Sequence, residues 1–326
     1  YFKNVNVNFE KIDSRVSIKL IFSKFNPKLL VVGTSQNSKS LGLNLIDYAK
    51  EKGIQTIGFV DSAADSELRF CGLSNSPLNH APDWLLVPDN HTKELFINYG
   101  YPNDNIKVIG SPSYERISCI KKKLDNIGIE KLRKQHCKNS GNNPIVIFID
   151  EHSNMGDPRL FKSSDYTFRG RVGANNRNEI IAGEIIDTLI NLKIKPFFVV
   201  RLHPKSNGDD YKSIKGEIQK FSHDCDPYEL IFCGDLIIGM TSILLMESLL
   251  LGKEVISIIP REIEKEWAPP GLLDNIDCIT TSDNLRKKLD SIFSGEYKSN
   301  FQKKLIEDKS IENIQNFLLE RLEAHE

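Results

Sequence analysis

Three potential cations fall within five residues at Arg201-Leu202-His203-Pro204-Lys205, directly after the apolar run 196–200. Such a cluster at the carboxyl end of a strand suits an anionic ligand. Arg201 could grip a phosphate through its bidentate fork, with His203 and Lys205 adding positive charge and Pro204 stiffening the turn. The competing account is a surface turn with solvated cations. A second constellation lies in 235–253, where a strand ends at Gly239 and Thr241-Ser242 open a helix. Free N–H groups and the positive end of the helix dipole favour a phosphate there. Glu247, five residues beyond Ser242, could accept bonds from two adjacent ribose hydroxyls. Alternatively, Ser242 is an N-cap and Glu247 a polar interruption of a buried helix, although a carboxylate in so apolar a segment needs a partner.

Other stretches offer weaker chemistry. Gly33-Thr34-Ser35-Gln36-Asn37-Ser38-Lys39-Ser40 nearly matches the phosphate loop GxxxxGK[ST], with Ser38 in place of the second glycine. A side chain there hinders the turn that glycine permits, so Gly33 and Ser35 are read as lining a cleft rather than forming a nucleotide triphosphatase loop. Asp61, Gly110-Ser111 and Asp150-Glu151-His152 each end a strand, with Arg69, Arg169, Arg171 and Arg177 further along the chain. Asp61, Glu151 and His152 are the candidate general bases; turn capping is the plainer alternative for each. His80, His91, His136, His223 and His325 lack partners at metal spacing, and no HExxH or GxSxG occurs, so no metal is expected. Asp224-Cys225-Asp226 follows a helix and reads as a turn. The six cysteines show no CxxC pairing and are expected to be free thiols in a reducing cytoplasm.

These groups need a scaffold. At ~100–200 residues per domain, 326 residues suggest two domains. Lys+Arg 43 against Asp+Glu 44 argues against a generally basic nucleic-acid binder. The longest apolar stretch, 236–251, is too short and too polar to span a bilayer. No secretory signal is visible, although the chain begins at Tyr1 and a removed leader stays open. Strands are predicted at 29–33, 55–60, 84–87, 106–109, 144–149, 196–200, 236–238 and 255–259. Helices are predicted at 9–25, 41–52, 91–99, 176–192, 209–221, 242–251, 282–293 and 300–323. This alternation implies parallel sheets covered on both faces, with ligands at the carboxyl ends of the strands. The charged, polar stretch 121–143 reads as a solvated helix and linker between domains at 1–120 and 144–326.

Three segments taken together resemble bacterial enzymes of the GT-B superfamily: 235–253, the Arg201–Lys205 loop and Asn105-Ile-Lys-Val-Ile-Gly-Ser-Pro. Relatives of that kind are UDP-N-acetylglucosamine 2-epimerases, CDP-glycerol glycerophosphotransferases and surface-polysaccharide glycosyltransferases. The order of Val32-Gly-Thr-Ser, Phe59-Val-Asp, Leu68-Arg-Phe and Ala81-Pro-Asp-Trp-Leu-Leu-Val is similar to a glycosyltransferase-like subgroup. The resemblance implies two Rossmann-like domains facing across a cleft, with the first domain, on the acceptor side, short by one or two strands. A nucleotide-sugar donor would be held mainly by the second domain, as co-substrate, with no tightly bound cofactor. Thr241 and Ser242 would meet its diphosphate, Glu247 its ribose, and Arg201, His203 and Lys205 the leaving phosphate. Where the epimerases carry Ser-Gly-Gly followed by Gln-Glu-Glu, Ser242 here precedes Ile-Leu-Leu-Met-Glu. The expected activity is therefore metal-independent sugar transfer to a glycan or lipid-linked glycan acceptor in surface polysaccharide assembly. The alternatives are epimerisation or hydrolysis of the nucleotide sugar, or a silent nucleotide-binding module. The expected location is the cytoplasm, with the 121–134 cations able to touch anionic lipid.

Overall fold

A computed structural model describes residues 17–61, 63, 65–152, 165–269, 272–273, 275–296 and 309–323. The chain divides into two compact units, Tyr1–Ser111 with Glu307–Glu326, and Pro112–Ile306.

Unit 1 carries α1 (Ile18–Phe25), β1 (Leu29–Gly33), α2 (Leu41–Glu51), β2 (Gln55–Phe59), β3 (Trp84–Val87), α3 (Asn90–Asn98) and β4 (Ile106–Val108). Its four strands pair in parallel in the order β1-β2-β3-β4. Alternate residues of a strand point to opposite faces, so each face has its own core. Leu85 and Val87 pack with Ile46, Phe70 and Phe96 on one face, while Ile57 and Leu86 pack with Ile109 and Phe317 on the other. Phe317 belongs to the last helix, α10 (Ser310–Glu323), which therefore completes unit 1. Its ring meets Trp84 edge-on at 5.3 Å, and Arg321 lies 4.6 Å over the same tryptophan.

Unit 2 contains α4 (Pro112–Ile127), α5 (Ile129–His136), β5 (Ile145–Ile149), α6 (Arg177–Asn191), β6 (Phe197–Arg201), β7 (Lys220–Ser222) and α7 (Pro227–Cys233). These are followed by β8 (Leu236–Gly239), α8 (Ile243–Leu250), β9 (Glu254–Ile258), β10 (Asp277–Ile279) and α9 (Ser282–Phe293). The six strands are parallel, in the order β10-β9-β8-β5-β6-β7. The chain builds outward from β5 to β7, then crosses back to place β8 on β5's other side. This creates a topological switch between β5 and β8, where the helices diverge and leave a crevice at the strands' carboxyl ends. The Ile-Val-Ile-Phe-Ile run of β5 is wholly buried, as a central parallel strand requires. Val146 and Phe148 join the core under α6 and α9, while Ile145, Ile147 and Ile149 join the core under α4, α7 and α8.

Several sequence expectations need correction. The 121–143 stretch is not a free linker: α4 and α5 bury Ile117, Leu124 and Leu132 in unit 2's core. Arg133 also holds the Asp235 carboxylate at 2.5 Å and the Cys233 carbonyl at 3.0 Å. The boundary therefore falls at Ser111, and α10 lies with unit 1. The helix predicted over 209–221 is two short 3-10 turns, Gly208–Tyr211 and Lys215–Glu217, followed by β7. Its apolar residues, Tyr211, Ile214 and Ile218, mimic helical spacing but reach the core from successive turns. The 9–16 and 300–308 portions of two predicted helices, and His325, lie outside the described residues. No described helix is long and apolar enough to cross a membrane.

Candidate functional site

The predicted site residues of unit 1 share the carboxyl edge of its sheet. Gly33 ends β1 and Ser35 follows it, Asp61 follows β2, and Gly110 and Ser111 follow β4. The Gly33–Ser40 segment satisfies its own donors: Ser35 Oγ accepts the Asn37 N–H at 3.1 Å, Asn37 Oδ1 accepts that of Lys39 at 3.0 Å, and Ser40 caps α2. Those amides are spent on turn chemistry. The Asp61 side chain is 72% exposed and pairs with Arg69 at 3.2 Å. Gly110 takes the left-handed conformation, φ +80°, and turns the chain out of the sheet.

In unit 2 the groups converge more tightly. Glu151, two residues past β5, accepts the Thr241 backbone N–H at 2.5 Å, the Thr241 hydroxyl at 2.8 Å and Arg177 Nη1 at 2.6 Å. Its own backbone is held by Asn178, whose Oδ1 accepts the Glu151 N–H at 3.1 Å and whose Nδ2 donates to the Glu151 carbonyl at 2.6 Å. The loops after β5 and β8, which flank the switch, are thus tied together through one carboxylate. Arg177 begins α6, capped by Asn176.

Behind this pair lies a buried ionic cluster. Glu264, fully buried, accepts Arg177 Nε at 2.6 Å and Arg261 Nε at 2.7 Å. The Trp267 ring lies 5.4 Å from the Arg177 guanidinium carbon and 5.7 Å from that of Arg261, and Tyr166 lies 5.0 Å from the latter. Burial works against the Arg177 charge, but Glu151 and Glu264 together hold its pKa above the ordinary value. Burial and then Glu264 push the Tyr166 phenol up to about 12. Three buried atoms of this cluster have no hydrogen-bond partner among the described residues: Arg177 Nη2, Arg261 Nη2 and the Tyr166 hydroxyl. A buried donor without an acceptor costs about 1–3 kcal/mol, so the cluster has surplus capacity for an acceptor-rich group.

The loop after β6 does not present its three cations equally. The Arg201 guanidinium is buried and donates Nη1 to the carbonyls of Leu202 and Ser222, the latter at 3.3 Å. Nη1 is thus committed to backbone, whereas the buried Nε has no partner among the described residues; Lys205 is exposed and His203 half-buried. The His203 ring stacks on that of His152, with centroids 5.4 Å apart and planes at 22°. Burial and then His152 lower the His203 pKa.

Ser242 is the N-cap of α8, its Oγ accepting the Leu244 N–H at 3.2 Å. Glu247 finds its partner in Tyr228 of α7, whose hydroxyl donates at 3.2 Å. Burial raises the Glu247 carboxyl above the usual range, opposed by Tyr228 and then Arg116. Among the described residues no cluster suited to a metal ion occurs.

Arg261, Glu264, Trp267 and Tyr166 escaped the sequence reading. Arg261 had a signal, since it follows the β9 apolar run much as Arg201 follows that of β6; the others had none. An open depression lined by Lys50, Gly53, Ile54, Gln55 and Asp83 lies at the amino-terminal edge of unit 1's sheet, opposite the edge that carries Gly33, Asp61 and Gly110.

No protein-family model matches the sequence, and no curated protein matches it. Solved structures do. The UDP-GlcNAc 2-epimerase from Neisseria meningitidis, solved with UDP-GlcNAc bound, superposes with a TM-score of 0.64 at 14% identity, covering 95% of this chain and 84% of that chain. The UDP-GlcNAc 2-epimerase from Methanocaldococcus jannaschii gives 0.62 at 13% identity, covering 93% and 79%. The wall teichoic acid polymerase TagF gives 0.51 at 10% identity, covering 94% and 93%. The likeness is one of fold: two α/β units, each with a parallel sheet.

Proposed function

We propose that the chain is an enzyme acting on a nucleotide-activated sugar, a metal-independent glycosyltransferase that builds a surface glycan. The observation that carries this reading is the set of buried, partnerless donors at unit 2's carboxyl edge, on Arg177, Arg261 and Tyr166. An acceptor-rich diphosphate would answer that surplus, and the fold is shared with a UDP-GlcNAc 2-epimerase that holds UDP-GlcNAc and with a wall teichoic acid polymerase. In this reading Thr241, Ser242, Lys205 and the arginines face the donor's diphosphate, and Glu247 its ribose; Gly33, Ser35, Gly110 and Ser111 remain as binding residues of unit 1. Arg201 serves by shaping the His203 turn.

In transfer, the acceptor hydroxyl loses its proton to a base as its oxygen bonds to the anomeric carbon. The bond from that carbon to the diphosphate oxygen breaks, and its electron pair leaves with the diphosphate, steadied by fixed donors. We assign the base to His152, whose Nδ1 has no partner, with Asp61 as the alternative. Glu151, already accepting from three donors, serves as the clamp between loops. The test is calorimetry and turnover with UDP-, CDP-, GDP- and CMP-sugars. Binding of one class, lost about tenfold or more in Arg261→Lys, supports the site; no binding by any class overturns it. Epimerisation or hydrolysis is the second reading, favoured by the higher TM-scores of the two epimerases. Turnover of donor without acceptor would establish it over transfer.

A further inference from the structure

Asp150 is the residue between β5 and Glu151, and it is buried. Its Oδ1 accepts the hydroxyl of Tyr211 at 2.5 Å, and its Oδ2 accepts the backbone N–H of His203 at 3.0 Å. The Ser206 side chain favours the ionised form of the same carboxylate. Tyr211 is itself 0% exposed, packed in the core with Ile214 and Phe221. Two donors from the segment 203–211 therefore meet on one buried carboxylate. That carboxylate is fixed in turn by its own N–H, which donates to the Arg201 carbonyl at 3.0 Å.

The loop so held has a tight internal geometry. The Ser206 N–H donates to the His203 carbonyl at 2.9 Å, and the Lys205 N–H donates to His203 Nδ1 at 3.1 Å. A ring nitrogen that accepts an N–H carries a lone pair, so the neutral ring must bear its proton on Nε2. Protonating Nδ1 would break that bond and set a cation against the stacked His152 ring and beside Arg201 and Lys205. Asp150 alone among the facing charges favours the cation, and it is weaker than burial and His152 together. The other titratable neighbour, His223, is tied to Asp224 and to the Pro204 carbonyl.

We propose that Asp150 and Tyr211 are positioning residues that lock His203 as the neutral Nε2–H tautomer, making it a fixed hydrogen-bond donor to an oxygen of the substrate rather than a cation. The tautomer stands on geometry alone; the substrate oxygen rests on the nucleotide-sugar reading above.

The experiment is 15N-histidine NMR of the full chain, with the His203 signals among the seven histidines assigned through His203→Gln. The expected result is an unprotonated Nδ1 and a protonated Nε2 at neutral pH, with a titration midpoint below the ordinary ~6.5. In Tyr211→Phe, which keeps the Asp150 charge, the two nitrogens should move toward a tautomer mixture and the midpoint toward the ordinary value. In Asp150→Asn, whose amide N–H₂ confronts a donor, the mixture should appear as well. A wild-type ring protonated on Nδ1, or a midpoint at or above ordinary, overturns the proposal without any variant. Variants with unchanged tautomer signals overturn the positioning role. UDP, CDP and GDP serve as probes of the second part: a shift confined to the Nε2–H signal supports the donor role. A locked tautomer that no nucleotide perturbs leaves the positioning role standing and counts against the nucleotide-sugar reading.

Discussion

Thr241 donates both its backbone N–H and its hydroxyl to the carboxylate of Glu151, which lies 90 positions earlier in the chain. Two loops that leave neighbouring strands, β5 and β8, are thereby held at a fixed separation over the switch point. The same carboxylate neutralises Arg177, so the geometry of the β8–α8 turn and the charge balance of the buried cluster are set together.

Removing Glu264 leaves two buried guanidiniums without their shared counter-ion. Glu264→Ala should destabilise unit 2 by about 3–5 kcal/mol, because a buried pair broken on one side leaves an uncompensated charge. Urea unfolding followed by Trp267 emission measures this. A loss below about 1 kcal/mol would mean that water reaches the cluster and solvates the arginines.

Glu247 should respond to pH in a defined direction. Its folded pKa is raised, so its contribution favours the fold below the unfolded pKa and is lost as pH rises through the folded one. At neutral pH the ionised carboxylate is a cost that Glu247→Gln removes. The variant should melt roughly 1–3 °C higher at pH 7–8, with the gap closing as pH falls toward ~4. A gap that widens in acid would contradict the assignment of burial as the dominant cause. If Glu247 accepts ribose hydroxyls, the same variant should bind nucleotide more weakly.

The chain has two tryptophans, Trp84 in unit 1 and Trp267 in unit 2, so each unit carries a reporter. Phe317→Ala removes the ring that packs on Trp84 and opens the core formed with Ile57, Leu86 and Ile109. Loss of a buried phenylalanine costs about 3–5 kcal/mol, and in a Trp267→Phe background Trp84 emission should shift to the red with an earlier unfolding midpoint. Unchanged Trp84 emission would show that α10 does not complete unit 1.

Gly58, in the middle of β2, has no room for a side chain. An added Cβ would lie 2.8 Å from Pro82 Cγ, 3.0 Å from Phe70 Cζ and 3.2 Å from Leu85 Cδ2. Gly58→Ala should therefore cost about 1–3 kcal/mol through overpacking, despite alanine's better strand entropy. An unchanged urea midpoint would show that Pro82 and Phe70 move aside freely.

The sequence by itself determined the α/β alternation, because short apolar runs such as Ile145–Ile149, bounded by turn residues, read as buried strands and most of the amphipathic stretches between them read as helices that cover those strands. It also placed His203, Thr241 and Glu151 at strand ends, since apolar patterning stops abruptly before each. Tertiary structure decided the rest. Local pattern could not say that α10 returns to unit 1, nor that 121–136 is stitched to α7 and β8, because those choices depend on contacts between residues far apart in the chain. Nor could it say which charges are taken up by the protein itself. Arg201 marks the end of its strand as conspicuously as His203 does, yet the turn commits its Nη1 to backbone carbonyls. Glu264 and Arg261 join Arg177 in one buried ion cluster only when the loop after β9 meets α6, and Asp150 becomes a keystone only when Tyr211 arrives beneath it. A side chain's type is local information, but its partners, and with them its charge, proton and direction, are set by the packing of distant segments.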